Sequence, residues 1–207
     1  VPAELALASF ALALALWFRP WGILLRAPAL LTPALATLVV LPWLWALPAL
    51  QHSALPLQWS GAVLVLLMLG WPLAVPVLAA VGAVAWTISP LTVEQAVSLT
   101  VWLGVVPASL AVLVGALLRR WTPDHAFIYI LGRGFLGAVL CLFASGLLAQ
   151  HFGAALPGVS SDLSRVARWL MAWGDAFVTG MLTAIFVAFK PEWLLTWSDA
   201  RYLRKAP

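Results

Sequence analysis

Apolar residues gather in six long blocks, at about residues 3–18, 27–50, 59–86, 97–118, 126–149 and 166–189, and most polar residues stand between them. A helix needs about 20 predominantly apolar residues to cross the hydrocarbon core of a bilayer. A barrel strand would alternate apolar with polar positions, whereas these blocks are apolar on every side, so the pattern predicts spanning helices. The breaks carry turn residues and charge: Arg19-Pro20-Trp21-Gly22, Gln51-His52-Ser53, Ser89-Pro90, Arg119-Arg120-Trp121-Thr122-Pro123-Asp124 and Pro157 to Arg165. A polar tail follows from Lys190 to Pro207.

The block 59–86 decides the topology. As one helix it would extend about 42 Å at 1.5 Å per residue, well beyond the roughly 30 Å core. Gly70-Trp71-Pro72 in its middle is a helix breaker. Charge gives a second reason to divide it. Arg19 and Arg26 follow the first block, and Arg119 and Arg120 follow the fourth. Basic residues favour the cytoplasmic side, so an even number of crossings should separate the two clusters, and that requires two crossings within 59–86. The expectation is an all-α polytopic transmembrane bundle of about seven helices, six if 59–86 is a single span, forming one integral membrane domain over 1–207. The spans are 3–18, 27–50, 59–69, 72–87, 97–118, 126–149 and 166–189, with a cytoplasmic tail at 190–207. The N-terminus then lies outside and the tail basics Lys190, Arg201, Arg204 and Lys205 inside. His52, Glu94, His151 and Asp162 fall outside, and Arg165 and Arg168 run against the rule. The segment 59–69 is too short to cross unaided, so it should lean on neighbours or thin the bilayer. Leu5–Phe18 has its positive charge, Arg19, after it rather than before it, which reads as a retained span and not a cleaved leader.

Composition agrees. Hydrophobic residues make up 64% of the chain and charged ones 9%, against roughly 25% charged in soluble domains. The net charge of +4 reflects basic residues held on one membrane face. No basic run is interleaved with aromatics, so nucleic acid is not an expected partner. Cys141 is the single cysteine and sits in an apolar block, which excludes an intrachain disulfide and a cysteine-based zinc cluster. Trp17, Trp21, Trp121, Trp169, Trp193 and Trp197 lie near span ends, where an indole anchors in the headgroup region. His52, His125 and His151 are far apart, with His125 inside and the others outside, so no common metal site is expected. No phosphate-cradling loop, Gly-x-Ser-x-Gly elbow or His-Glu-x-x-His pattern occurs. No catalytic residue, metal ligand or cofactor is therefore assigned, and the chain is not read as an enzyme.

Two ionisable residues stand deep in spans, Arg133 and Asp175. Each costs about 2.5–3.5 kcal/mol on insertion scales, so each needs a partner or a task. Three readings are open: a structural ion pair, an Arg133 that snorkels inward, and a substrate or proton role. Counted from the inner face, the two depths differ by roughly 12 Å, a gap that a long side chain and helix tilt could narrow. Gly132, Gly134 and Gly137 surround Arg133, while Gly174 and Gly180 flank Asp175. Small residues at such spacings form helix-packing faces, so the two spans are expected to meet. Asp175, Arg133 and Thr179 are the intramembrane polar candidates for function.

Three stretches carry a family resemblance: Met68-Leu69-Gly70-Trp71-Pro72-Leu73-Ala74, Phe127-Ile128-Tyr129-Ile130-Leu131-Gly132-Arg133-Gly134-Phe135-Leu136-Gly137-Ala138, and Asp175-Ala176-Phe177-Val178-Thr179-Gly180-Met181-Leu182. The last leads into Phe189-Lys190-Pro191-Glu192-Trp193-Leu194 and Ser198-Asp199-Ala200-Arg201-Tyr202-Leu203. Over roughly residues 58–204 the chain resembles the proteobacterial energy-coupling factor ABC transporter permeases, distant relatives of the CbiM-type cobalt and nickel uptake subunits. The resemblance implies a seven-helix substrate-capture subunit of the bacterial inner membrane. It also implies a transmembrane coupling subunit and cytoplasmic ATPases as partners, with cobalt or nickel ions as possible cargo. The metal-binding subunits begin Met-His-Ile and carry a second histidine before the Gly-Pro break. Here the matching stretches read Val1-Pro2-Ala3-Glu4 and Leu57-Gln58-Trp59-Ser60-Gly61, so no metal ligand carries over. The competing reading is a non-transporting accessory or structural subunit of a larger respiratory or photosynthetic complex.

Overall fold

The structure is a computed structural model that describes residues 2–51, 58–153 and 160–203. His52, Arg204 and Lys205 lie outside the described residues. The fold is an all-α bundle, and five of its helices are long and apolar enough to cross a membrane. The chain is a multi-pass membrane protein whose outer surface meets lipid.

Helix α1 (Pro2–Trp17) and the short α2 (Trp21–Arg26) precede a 3-10 turn at Pro28–Leu30 that runs into α3 (Leu31–Leu50). Helix α4 is only Ala62–Leu69, and α5 is Trp71–Ile88. A continuous helix follows: α6 (Val93–Leu99), a π-helical stretch at Thr100–Val105, then α7 (Val106–Trp121). A second π-helical stretch, Ile128–Leu136, opens α8 (Gly137–His151). The long α9 (Ser161–Phe189) is followed by a 3-10 turn, Pro191–Trp193, and the single turn α10 (Asp199–Tyr202).

The break at Gly70 is real. Its φ of 70° and ψ of 160° suit only glycine, and the chain reverses there from α4 into α5. The expected 59–69 span takes a different form, however. Eight residues of helix rise only about 12 Å, and every side chain of α4 is buried in protein. It is a half-helix inside the bundle, preceded by non-helical backbone at Gln58–Ser60, and not a thin lipid-facing span. Non-helical backbone at membrane depth is tolerated only where protein or a cavity surrounds it.

Contacts sort the charges by face. The Pro28–Leu30 turn, next to Arg26, touches the Pro191–Trp193 turn, next to Lys190. Arg201 lies 3.9 Å from Asp124, just past Arg119 and Arg120. At the opposite end, the Glu4 carboxylate accepts hydrogen bonds from Ser98 Oγ at 3.0 Å and Trp102 Nε1 at 2.5 Å. The basic clusters therefore share one face of the bundle. Arg165, which ran against the rule, is bridged to Asp162 at 3.5 Å.

The tryptophans divide. Trp17, Trp21, Trp121 and Trp169 are exposed as membrane anchors would be, and Trp193 is half-buried. Trp197 is instead core: its ring stacks on Tyr202 at 4.8 Å and meets Tyr129 edge-on at 4.9 Å.

Candidate functional site

Asp175 is the central residue of α9 and 5% exposed. Its Oδ2 accepts hydrogen bonds from the backbone N–H of Ser60 at 2.6 Å and of Gly61 at 3.2 Å, and its Oδ1 accepts one from Thr179 Oγ1 at 3.0 Å. Ser60 and Gly61 lead directly into α4, so the carboxylate caps the N-terminus of the half-helix. That is where a helix leaves N–H groups without partners and where its dipole favours negative charge. Gly61 has φ 64°, the left-handed conformation that turns the non-helical backbone into the helix.

The other end of α4 is capped by the same helix's continuation. Leu195 N–H donates to Met68 O at 2.9 Å, while Thr196 donates to Leu67 O through its N–H at 3.3 Å and its Oγ1 at 2.8 Å. Thr196 Oγ1 also meets Tyr129 Oη at 2.6 Å. The half-helix is thus held at both ends by α9 and the segment that follows it.

Proline supplies a further fastening. Pro107 has no N–H, so the carbonyl of Leu103, four residues earlier, has no helical donor. Ser60 Oγ donates to that carbonyl at 2.5 Å. The neighbouring Trp102 carbonyl, which a π-type bond would also direct at Pro107, accepts from Ser145 Oγ at 2.6 Å. Trp45 Nε1 donates to Ser60 O at 3.2 Å, and Gln58 Nε2 to Trp45 O at 3.0 Å. Residues Gln58–Gly61 are therefore tied to α3, α7's π-helical lead-in and α9 at once.

Beside this knot lies a small cavity of about 70 Å³, lined by Gln58, Ser60, Trp102, Gly146, Arg168 and Asp175 among others. Its polar lining sets the Asp175 carboxylate, the Ser60 hydroxyl and the Gln58 amide beside the Arg168 guanidinium. Among the described residues no group of three or more His, Cys, Asp or Glu side chains comes together.

Arg133 sits elsewhere. It is 8% exposed; its Nη2 donates to Gly115 O at 2.7 Å, and its guanidinium carbon stands 5.6 Å from the Tyr129 ring centre. The reading of Arg133 and Asp175 as an ion pair is corrected by these partners. The physical reason is depth. The π-helical stretch packs lower on α9, with Gly134 against Thr183 and Gly180 against Phe135. Thr183 is two helical turns from Asp175, about 12 Å along the axis.

The expected packing of the two spans is made at Gly134 and Gly180. A Cβ on Gly134 would stand 3.0 Å from Thr183 Oγ1, and one on Gly180 would stand 3.1 Å from Phe135. Gly132 faces Leu118 at 3.4 Å. Gly137 donates its N–H to Gly132 O across a π-type turn, and a Cβ there would lie 2.8 Å from that oxygen. Gly174 is corrected: a Cβ there meets nothing within 4 Å, so it is not a packing position. Thr179, fully buried, belongs to the Asp175 cap.

Sequence reasoning missed Ser60 and Gly61 as partners of Asp175, and Trp45 and Gln58 as the side chains that tie this stretch to α3. The signals were present in part: Pro107 announces an unpaired carbonyl, and the polar run Gln58-Trp59-Ser60-Gly61 stands at the head of a block otherwise wholly apolar. Comparison of the chain with protein-family models, with curated proteins and with solved structures gave no match.

Proposed function

We propose that the chain is a substrate-capture subunit of the energy-coupling-factor type, with the Asp175 cavity as its solute site and its basic face toward the cytoplasm of a bacterial inner membrane. The observation that carries this reading is the broken span. Irregular backbone at Gln58–Gly61, a half-helix N-terminus and a buried carboxylate meet at the middle of α9. Discontinuous helices that end near the bilayer midplane are how secondary transporters place polar groups where a solute pauses. The two π-helical stretches add to it, since such stretches gather at functional sites.

The donor set selects among cargoes. A carboxylate, a serine hydroxyl and a glutamine amide face the cavity together with the Arg168 guanidinium, a set of both charge signs that suits a small polar solute. Nickel and cobalt sites favour nitrogen ligands, and the residues lining this cavity supply no histidine. At about 70 Å³ the cavity takes a few waters or a small ion, so a larger solute requires Gln58–Gly61 to move.

A second reading has an observation of its own. Asp175 is fully employed as a helix cap, which is a structural task, and an accessory subunit of a larger membrane complex would need no more. Purification from native membranes in mild detergent, with mass spectrometry of the associated chains, separates the two. Recovery of ATPases and a coupling subunit is the expected result. Recovery with respiratory or photosynthetic subunits and no ATPase overturns the capture reading.

A further inference from the structure

The larger cavity lies on the basic face, at the opposite end of α4 from the Asp175 knot. It has a volume of about 420 Å³, within the roughly 300–1,000 Å³ of small-ligand sites. Three arginines line it, Arg119, Arg133 and Arg201, and among the described residues no carboxylate does. Arg133 forms the floor. It is more than nine-tenths buried, and among the described residues its one hydrogen bond uses Nη2. Four of the guanidinium's five N–H donors remain for something in the cavity. Arg119 and Arg201 are exposed and stand at the rim. Asp124 touches Arg201 only at 3.9 Å, with both side chains about half exposed (46% and 50%), so it leaves the arginine free to turn inward. The remaining wall joins apolar side chains, including Leu66, Trp71 and Leu195, with the hydroxyls of Thr196 and Ser198.

A buried guanidinium with an unfilled donor fork, two further guanidiniums above it and, among the described residues, no carboxylate in the lining make a site short of negative charge. Arginine forks match phosphate oxygens two at a time. We propose that this cavity binds a phosphate group, carried by an acidic phospholipid headgroup or by free phosphate, with Arg133 as its buried anchor and Arg119 and Arg201 closing over it. The apolar wall suits the glycerol and first acyl carbons of a lipid. This site is independent of whatever the Asp175 cavity holds.

The test uses the full chain, purified and delipidated in a neutral detergent. Thermal stability and native mass spectrometry are followed on adding phosphatidylglycerol, phosphatidylcholine or inorganic phosphate. The probe series is repeated in Arg119→Gln/Arg201→Gln, whose side chains are exposed and whose loss leaves the core intact, and in Arg133→Lys. Phosphatidylglycerol is expected to bind in preference to phosphatidylcholine, and about tenfold more weakly in the double variant, as befits the loss of charge-assisted hydrogen bonds. Saturable binding of inorganic phosphate with the same loss in the variants assigns the site to a soluble anion. Equal binding of the neutral and acidic lipids without phosphate binding, or unchanged affinity in both variants, overturns the proposal.

Discussion

Replacing Asp175 tests what holds the broken span together. In Asp175→Ala, the N–H groups of Ser60 and Gly61 and the hydroxyl of Thr179 lose their acceptor in a buried setting. Each orphaned buried group costs about 1–3 kcal/mol. Thr179 recovers by turning to a helix carbonyl, so the two N–H groups dominate and the expected loss is about 2–6 kcal/mol. Asp175→Asn behaves differently. Its amide oxygen still accepts both N–H bonds, and its amide donates to Thr179 Oγ1, which then serves as acceptor. Only the charge-assisted part of the bonds is lost, and neutral bonds are worth about half as much as charged ones, so the expected cost is about 1–2 kcal/mol. Unfolding of the purified protein in mixed micelles, with SDS as denaturant, reads both values. Limited proteolysis should show new cleavage near Gln58–Gly61 in the alanine variant alone. Equal stability of wild type and Asp175→Ala would refute the capping argument. An asparagine variant as unstable as alanine would show that charge, not acceptor geometry, is what α4 requires.

Other outcomes follow from the same contacts. Gly134→Ala should destabilise by about 1–3 kcal/mol, because Thr183 is β-branched and cannot retreat. Gly174→Ala, which meets nothing, should be neutral or stabilise by up to about 1 kcal/mol; the same denaturation assay checks the pair, and equal losses would contradict the packing. Exchanging the charges, Arg133→Asp with Asp175→Arg, should restore no expression lost in either single variant, since the two side chains have separate partners; rescue, read by fluorescence of a fusion, would reinstate the ion pair. Ser60→Ala should cost less in a Pro107→Ala background than in the wild type, because alanine returns an N–H to the Leu103 carbonyl. A double-mutant cycle measures that coupling, expected at about 0.5–3 kcal/mol, and strict additivity would remove the role given to Pro107.

Much of the architecture was legible in the residues. Apolar block length set the long helices, and Gly70-Trp71-Pro72 located the reversal. The form of α4 was not legible, because hydropathy reads the same for a lipid-facing span and for a half-helix buried in protein. The partners of Asp175 were hidden for a different reason: they are backbone N–H groups, which no side-chain pattern reports. Arg133 and Asp175 looked like a pair because opposite charges in neighbouring spans invite pairing, yet two helical turns of depth separate them. Gly174 looked like its neighbours in sequence and differs only in which side of α9 it occupies.

The fastening of α4 has a consequence for how the chain is made. An eight-residue helix offers an insertion machine too little apolar length to be recognised as a span. The acceptor for Ser60 and Gly61 lies 115 and 114 residues further on, and Leu67 waits 129 residues for Thr196. During synthesis, then, the stretch from Gln58 to Leu69 leaves the ribosome long before anything can hold it. It settles only once α9 and the segment after it arrive, so this stretch takes its place after the helices that follow it in sequence. Chains released early should accumulate with this region accessible from water, as targets for membrane proteases.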